Sequence, residues 1–104
     1  MSPAYQAVQS GHAAIQFQYE HFDIASKWFN ESNYLIYLSV ENEEKLHNII
    51  YKLQKSNLKY SVFREPDLNN QVTAIAIEPS EKTRKLVSNL PLMLKEYRKE
   101  VCYV

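Results

Sequence analysis

Gln71-Val-Thr-Ala-Ile-Ala-Ile77, followed closely by Pro79, is the stretch that decides the fold. Its Thr and two Ile side chains fall on one face, and its Val and two Ala side chains fall on the other. The run is short and rich in β-favouring residues. A proline, which cannot donate to a sheet ladder, stops it. The stretch therefore predicts a β-strand.

A second strand is predicted just before it, over residues 59–64. Pro66 interrupts this run, and a short loop near Asn69 and Asn70 leads into the next strand. Short loops of this kind join antiparallel neighbours. The two strands are therefore expected to form an antiparallel hairpin.

Residues 34–40 read Tyr-Leu-Ile-Tyr-Leu-Ser-Val, a nearly continuous apolar run of the kind found in interior strands. A helix is predicted after it. Asn42 is a suitable N-cap, and Asn57 tolerates the left-handed conformation of a C-terminal cap. Because a helix between two strands makes a crossover, we expect residues 34–40 and 59–64 to pair in parallel.

Helices are also predicted towards both ends of the chain. Ser2 is a good N-cap for a helix that runs to about Phe22, and residues 23–33 suit a short second helix. Ser80 can cap a helix over residues 81–88, and residues 95–104 form a charged tail that can extend as helix. The order α, β, α, β, β, α predicts one domain over residues 1–104, a small three-layer α/β/α fold with a mixed sheet of three to four strands.

Composition limits the class of protein. A chain of 104 residues has room for one hydrophobic core, and twelve basic residues balance twelve acidic ones, which argues against a general electrostatic grip on long nucleic acid. A single glycine excludes glycine-rich phosphate loops, and a single cysteine excludes a disulfide framework or cysteine-rich metal site. No apolar run has membrane-spanning length and no signal segment is recognisable. A cytoplasmic protein without metal or cofactor is expected.

The predicted first helix carries two stripes of side chains. One stripe is apolar and is expected to be the buried face: Ala4, Val8, Gly11, Ile15 and Phe22. The other stripe is polar and aromatic: Tyr5, Gln9, His12, Gln16 and Tyr19. An ordinary surface helix would place Lys and Glu on such a face, and this stripe has neither, so we expect functional side chains there. A histidine in this setting is also commonly a packed, hydrogen-bonded residue rather than a base.

Four segments resemble the type II peptidyl-tRNA hydrolases. Residues 2–14, Ser-Pro-Ala-Tyr-Gln-Ala-Val-Gln-Ser-Gly-His-Ala-Ala, are similar to that family's first helix, approximately S-P-G-K-x-A-A-Q-x-x-H-A. Phe-Arg-Glu-Pro-Asp at 63–67 stands where the family has a strand ending in Arg-Asp-Ala-Gly or similar. Thr-Ala-Ile-Ala-Ile-Glu-Pro at 73–79 resembles a T-A-x-A-I-G-P strand, and Asn-Leu-Pro-Leu at 89–92 resembles the closing segment. The matches keep the family's order and cover nearly the whole chain.

The resemblance implies a set of site residues. The family's catalytic lysine falls on Tyr5, and its aspartate falls on Glu65, with Asp67 as the alternative two residues on. The loop that carries the aspartate is shorter here than in the family. Three positions match the family's own residues: Gln9, His12 and Thr73.

The family also begins with a β-strand before this helix, whereas Met1 stands directly before Ser2 here. The resemblance therefore implies either a three-stranded sheet or a fourth strand supplied by another chain. An uncovered sheet edge favours pairing with a partner. We expect a homo-oligomer, most simply a dimer.

The family's reaction is hydrolysis of the ester that joins a peptide to the ribose of the terminal adenosine of tRNA. This chemistry needs an activated water and a positive or donor group for the developing oxyanion. Tyr5 offers only a neutral O–H where lysine offers charge, so the resemblance implies weakened catalysis. If activity is retained, its catalytic residues are expected to be His12, Glu65 and Asp67.

Three functions follow from these observations. The leading one is a catalytically degenerate member that binds a nucleotide or the 3′ end of tRNA, with aromatic side chains stacking on bases and Arg64 holding a phosphate. The second is an active peptidyl-tRNA hydrolase, and the third is an oligomeric interaction module that uses a sheet edge. The leading hypothesis assigns ligand binding to Tyr5, Gln9, His12, Gln16, Arg64, Asn69 and Thr73.

Overall fold

The computed structural model describes residues 2–93. Within that range the chain folds into helices and one two-stranded sheet, which confirms the α/β class. A short 3₁₀ turn, Pro66–Leu68, links the two strands. The elements are α1 (Pro3–Glu20), α2 (Phe22–Asn30), α3 (Glu43–Ser56), β1 (Tyr60–Glu65), β2 (Gln71–Ile77) and α4 (Glu81–Leu86).

Helix starts follow the capping residues that the sequence predicts. The Ser2 hydroxyl accepts from the Tyr5 backbone N–H at 3.2 Å. The Asn42 and Ser80 side chains accept from the N–H groups three residues on, at 3.0 Å in both cases. Each bond satisfies a donor that has no partner inside the helix. At the other end of α3, Asn57 adopts the left-handed conformation with φ of 65°.

The sheet is an antiparallel hairpin, as predicted. Its register runs from Tyr60 opposite Ile77 to Glu65 opposite Gln71, with an irregularity between Phe63 and Arg64. Two asparagines close the turn with φ values of 54° and 60°, a conformation that asparagine tolerates better than most residues. The hairpin places Glu65 at its turn end.

The prediction of a strand over residues 34–40, paired in parallel with β1, is wrong for the described part of the chain. The segment instead makes one isolated antiparallel bridge, between Leu38 and Leu92. Its first three apolar side chains are largely exposed: Tyr34, Leu35 and Ile36. Within residues 2–93 the sheet therefore has two strands rather than three or four.

The buried face of α1 also differs from the predicted one. The helix packs across both strands, and its buried residues are Gln9, Ala13 and Phe17. Val8 and Ile15 of the apolar stripe are 55% and 67% exposed. The helix therefore turns Tyr5, Gln9 and Gln16 of its polar stripe towards the sheet, because these side chains find hydrogen-bond partners on the strands. Tyr19 of the same stripe is 89% exposed.

Helix α3 contacts β2 and contributes Leu53 to the core, where Leu58, Val72 and Ala74 are also buried. No helix within residues 2–93 is long and apolar enough to cross a bilayer. The expected helical tail over residues 95–104 lies outside the described residues, and the single-domain division stays a prediction.

Candidate functional site

A hydrogen-bonded network joins α1 to the turn end of the hairpin. The Tyr5 hydroxyl donates to Glu65 Oε1 at 3.2 Å, and the Gln9 side-chain amide donates to the same oxygen at 2.9 Å. Tyr5 and Gln9 are four residues apart, so both project from one face of α1. The position that matches the family's lysine therefore holds a phenol that is bonded to the residue in the aspartate position.

Gln9 connects the two strands. Its carbonyl oxygen accepts from the Thr73 hydroxyl at 3.0 Å, while its amide nitrogen bonds Glu65. Gln9 is 1% exposed, so its polar atoms depend on these partners for hydrogen bonding. The buried amide fixes the distance between β1, β2 and α1 at this point. It is a positioning residue for Glu65.

The network has one ionised member near neutral pH. Hydrogen bonds from Gln9 and Tyr5 and the backbone of Asp67 hold the pKa of Glu65 below its ordinary value, against the opposing effect of desolvation. Desolvation and the neighbouring Glu65 carboxylate raise the pKa of Tyr5 above 10. Glu65 is therefore an anion and Tyr5 a neutral donor, so the four side chains Tyr5, Gln9, Glu65 and Thr73 carry one negative charge and no positive one.

His12 lies one turn further along α1 and stacks on Phe63 of β1. The ring centroids are 4.8 Å apart and the planes are inclined by 16°. The imidazole is exposed on its other side. When protonated, it also helps to lower the pKa of Glu65. His12 is thus packed against Phe63 and also accessible, and its role as an acid or base stays a prediction.

The other predicted residues lie around this centre rather than in it. Gln16 donates to Glu20 and to the Val62 carbonyl oxygen, both at 3.0 Å, and so is tied to the strand backbone. Arg64 is exposed and reaches the Asn70 carbonyl oxygen at 3.4 Å. The remaining two, Asp67 and Asn69, are exposed in the turn after β1.

Sequence reasoning missed the polar pair at the opposite end of α1. The buried Ser61 hydroxyl donates to Glu20 Oε1 at 2.6 Å, and this bond, helped by Gln16, lowers the pKa of Glu20. Ser61, Phe63 and Glu65 alternate along β1 and all meet α1. That two-residue period in the strand was the signal available for finding Phe63 and Ser61.

Acid should weaken the fold through these two carboxylates. A folded-state pKa below the ordinary 4.5 stabilises the protein above that pH, and the stabilisation is lost as pH falls through the lower folded value. We expect the melting temperature to drop between about pH 5 and about pH 3, and to drop less in Glu65→Gln, which does not titrate.

The control for this titration is Glu31→Gln, at an exposed position after α2. Differential scanning fluorimetry across the pH series gives the comparison. An acid slope identical in Glu65→Gln and in the wild type would remove Glu65 from the account.

In this arrangement the Glu65 carboxylate can accept hydrogen bonds from hydroxyl groups, and the flat, accessible ring of His12 lies beside it. Within the described range, no group of three or more His, Cys, Asp or Glu side chains is placed to hold a metal ion.

Comparison with curated proteins finds no match. The family model of peptidyl-tRNA hydrolase PTH2 matches residues 1–93, nearly nine tenths of the chain. By this match, the chain belongs to the peptidyl-tRNA hydrolase PTH2 family.

Proposed function

We propose that this protein binds the ribose-bearing end of a nucleotide or RNA beside Tyr5, His12 and Glu65, and that it is a catalytically degenerate member of its family. The observation that carries the proposal is the bond from the Tyr5 hydroxyl to Glu65. A lysine at this position would bring a positive charge to the reacting ester, whereas the neutral phenol of Tyr5 supplies none. The protein would act by holding or sequestering its ligand.

Charge supports the catalytic half of this proposal. The transition state of ester hydrolysis develops negative charge on oxygen, and preorganised positive or donor groups give the largest catalytic effect. The Tyr5 hydroxyl is committed to Glu65, which is itself anionic. Without a positive group beside it, this anionic site gives the developing oxyanion no charge stabilisation, so it favours binding over turnover.

The same carboxylate supports the binding half. Carboxylates in nucleotide sites accept hydrogen bonds from ribose hydroxyls. Both side-chain donors use Oε1 of Glu65, so a ribose hydroxyl would donate to Oε2. The exposed face of His12 offers a stacking surface for a base, and Arg64 offers a charged donor for a phosphate. A small nucleotide or RNA end suits a chain with zero net charge better than a long nucleic acid does.

The structure gives unequal support to the individual ligand contacts. Tyr5, His12 and Glu65 lie close together, and Gln9 and Thr73 act from behind them as positioning residues. Gln16 is held by the strand backbone, so its part in ligand binding loses support. Asn69 is exposed in the turn beyond Arg64, where it can approach a phosphate or sugar.

Loss of the stacking ring or of the charged donor should weaken binding. We expect His12→Ala and Arg64→Ala each to cost about 1–3 kcal/mol of binding free energy, the usual range for a desolvated or charge-assisted contact, without unfolding the protein. Isothermal titration calorimetry with AMP and with a short RNA ending in CCA measures the effect.

Two variants serve as matched controls. His47→Ala removes an exposed imidazole on α3, and Arg84→Ala removes an exposed guanidinium on α4. Neither should change the affinity. If no mono-, di- or cyclic nucleotide and no CCA-ended RNA raises the melting temperature at millimolar concentration, the binding proposal falls.

Active hydrolysis is the second candidate, and the family match favours it. Gln9, His12 and Thr73 stand where the family has the same residues, and Glu65 keeps a carboxylate in the aspartate position. In that case Glu65 would orient water, and His12 would supply or accept a proton. The assay that separates the two candidates is peptide release from tRNA.

A homodimer is also proposed, and it does not depend on ligand binding. Two apolar surfaces are exposed, one on α1 at Val8 and Ile15 and one over residues 34–36. A shallow hollow beside the second is lined by Leu35, Ile36, Tyr37, Leu92 and Met93. Large exposed apolar surfaces commonly mark interaction sites. We further expect a cytoplasmic location and tRNA, in its peptidyl or free form, as the natural source of the ligand.

A further inference from the structure

Helix α1 carries an apolar face that points away from the sheet. The face consists of Ala4, Val8, Gly11, Ile15 and the adjoining Phe22, called here the outer stripe. Val8, Ile15 and Phe22 are 55%, 67% and 70% exposed. The buried side of the same helix, with Gln9, Ala13 and Phe17, lies on the opposite face at helical spacing. The outer stripe is therefore not part of the described core.

Gly11 occupies the middle of this stripe and of the helix. Glycine is the poorest helix former after proline, and its backbone here is helical rather than left-handed. A Cβ at this position would meet no atom of the described residues within 4 Å. Packing against the described residues thus gives no reason for glycine, whereas close approach of a second surface does.

Charge restricts what that second surface is. Residues 3–19 of α1 contain no Asp, Glu, Lys or Arg, although α2, α3 and α4 each carry acidic and basic side chains. An uncharged apolar stripe excludes a partner with a charged face, because the partner's charges would lose their water without gaining a counter-charge. Among the described helices, α1 is the one that meets this requirement, over residues 3–19.

We propose that the outer stripe is the dimer contact, with α1 of a second copy packed antiparallel across it and the two-fold axis near Gly11. This inference deepens the proposed dimer by naming its surface. Around such an axis Gly11 faces its own copy, and Val8 lies beside Ile15 of the partner subunit. The two helix dipoles run in opposite directions, which favours the antiparallel arrangement.

The expected affinity follows from the size of the contact. An 18-residue helix is about 27 Å long. One helix pair buries less than the roughly 800 Å² per partner of a standard stable interface. The dimer should therefore dissociate in the micromolar range rather than behave as an obligate one.

Sedimentation velocity over about 5–200 µM protein measures the dimer dissociation constant and tests whether the outer stripe is the dimer contact. Ile15→Glu keeps good helix propensity but places a charge in the stripe, and it should raise the dimer dissociation constant at least tenfold. Gly11→Ala should also weaken the dimer while raising the melting temperature of the monomer, because alanine favours the helix and meets no neighbour. Leu35→Glu, within the exposed residues 34–36, should leave the dimer unchanged.

Crosslinking tests the register. In a Cys102→Ser background, an equimolar mixture of Val8→Cys and Ile15→Cys should oxidise mainly to the mixed disulfide. Each variant alone should give a much lower yield. Wild-type protein that stays monomeric at about 200 µM overturns the proposal. A dimer that Leu35→Glu breaks while Ile15→Glu leaves it intact overturns it as well, and moves the interface to residues 34–40. Neither outcome bears on nucleotide binding, which is measured separately.

Discussion

Gln9→Ala is expected to lower the free energy of unfolding by about 2–3 kcal/mol, the largest effect of any truncation of a polar side chain on the face of α1 that meets the hairpin. The side chain is 1% exposed and bonds both Glu65 and Thr73. Its removal leaves the Thr73 hydroxyl without its acceptor and takes one donor from an ionised carboxylate. It also leaves a small cavity beneath the helix, which adds to the loss. Urea denaturation at neutral pH measures the change.

Two companions separate these causes. Gln18→Ala removes an exposed amide from the same helix and should change stability by less than about 0.5 kcal/mol. Gln9→Glu keeps the volume but places a second carboxylate against Glu65, so it should destabilise the protein at neutral pH and recover as acid protonates one of the pair. A Gln9→Ala protein as stable as Gln18→Ala would show that the network contributes nothing to the fold.

Local chemistry made the helix starts and the hairpin predictable. An N-cap bond is decided by one side chain and the backbone three residues on, as Ser2, Asn42 and Ser80 show. The turn between the strands depends on Asn69 and Asn70, which adopt positive φ. Such features need no knowledge of distant residues, so the sequence alone suffices for them.

The buried face of α1 was not predictable in this way. Hydrophobic periodicity assigned burial to Val8 and Ile15, and both are exposed. Gln9 is buried instead, because Glu65 and Thr73, which lie 56 and 64 residues away, satisfy its amide. A pattern within the helix carries no information about those partners. The apolar stripe is informative in another way, since it marks the surface proposed for the dimer.

Residues 34–40 show the same limit for a strand. Their apolar, β-favouring sequence predicts a strand, but β-propensity measures how a side chain fits a paired and half-buried surface. In the described chain, Leu38 finds one bridge partner, Leu92, and Leu35 and Ile36 remain exposed. Extended pairing needs a neighbouring strand, and the hairpin of β1 and β2 does not supply one to this segment.

The candidate site lies between these cases. The four-residue spacing of Tyr5 and Gln9 predicted a shared helix face, and the family resemblance placed Glu65 and Thr73 opposite it. The structure brings these four together. The stack of His12 on Phe63 was missed, because it depends on which face of β1 meets α1. The roles of all these residues in ligand binding stay predictions.

Tyr5→Lys should increase the rate of peptide release from peptidyl-tRNA by roughly a hundredfold or more over a weak or undetectable wild-type rate. The Tyr5 hydroxyl lies 3.2 Å from Glu65 Oε1, so a lysine ammonium in that position would meet the carboxylate and the substrate ester together. It would provide the positive charge that the developing oxyanion needs, worth a few kcal/mol of barrier. A single-turnover assay with a labelled peptide on tRNA measures this rate.

An added lysine also attracts tRNA in general, and a matched control separates attraction from chemistry. Tyr19 lies on the same helix and is 89% exposed. Tyr19→Lys adds the same charge far along α1 from Glu65, so it should strengthen tRNA binding modestly and leave the rate at saturating substrate unchanged. Tyr5→Phe should bring no gain, and adding Glu65→Gln to Tyr5→Lys should abolish it. Robust wild-type turnover that Tyr5→Lys does not increase would instead mean that this chain keeps the family's reaction by moving the stabilising charge to other side chains, and the proposal of degeneracy would be wrong.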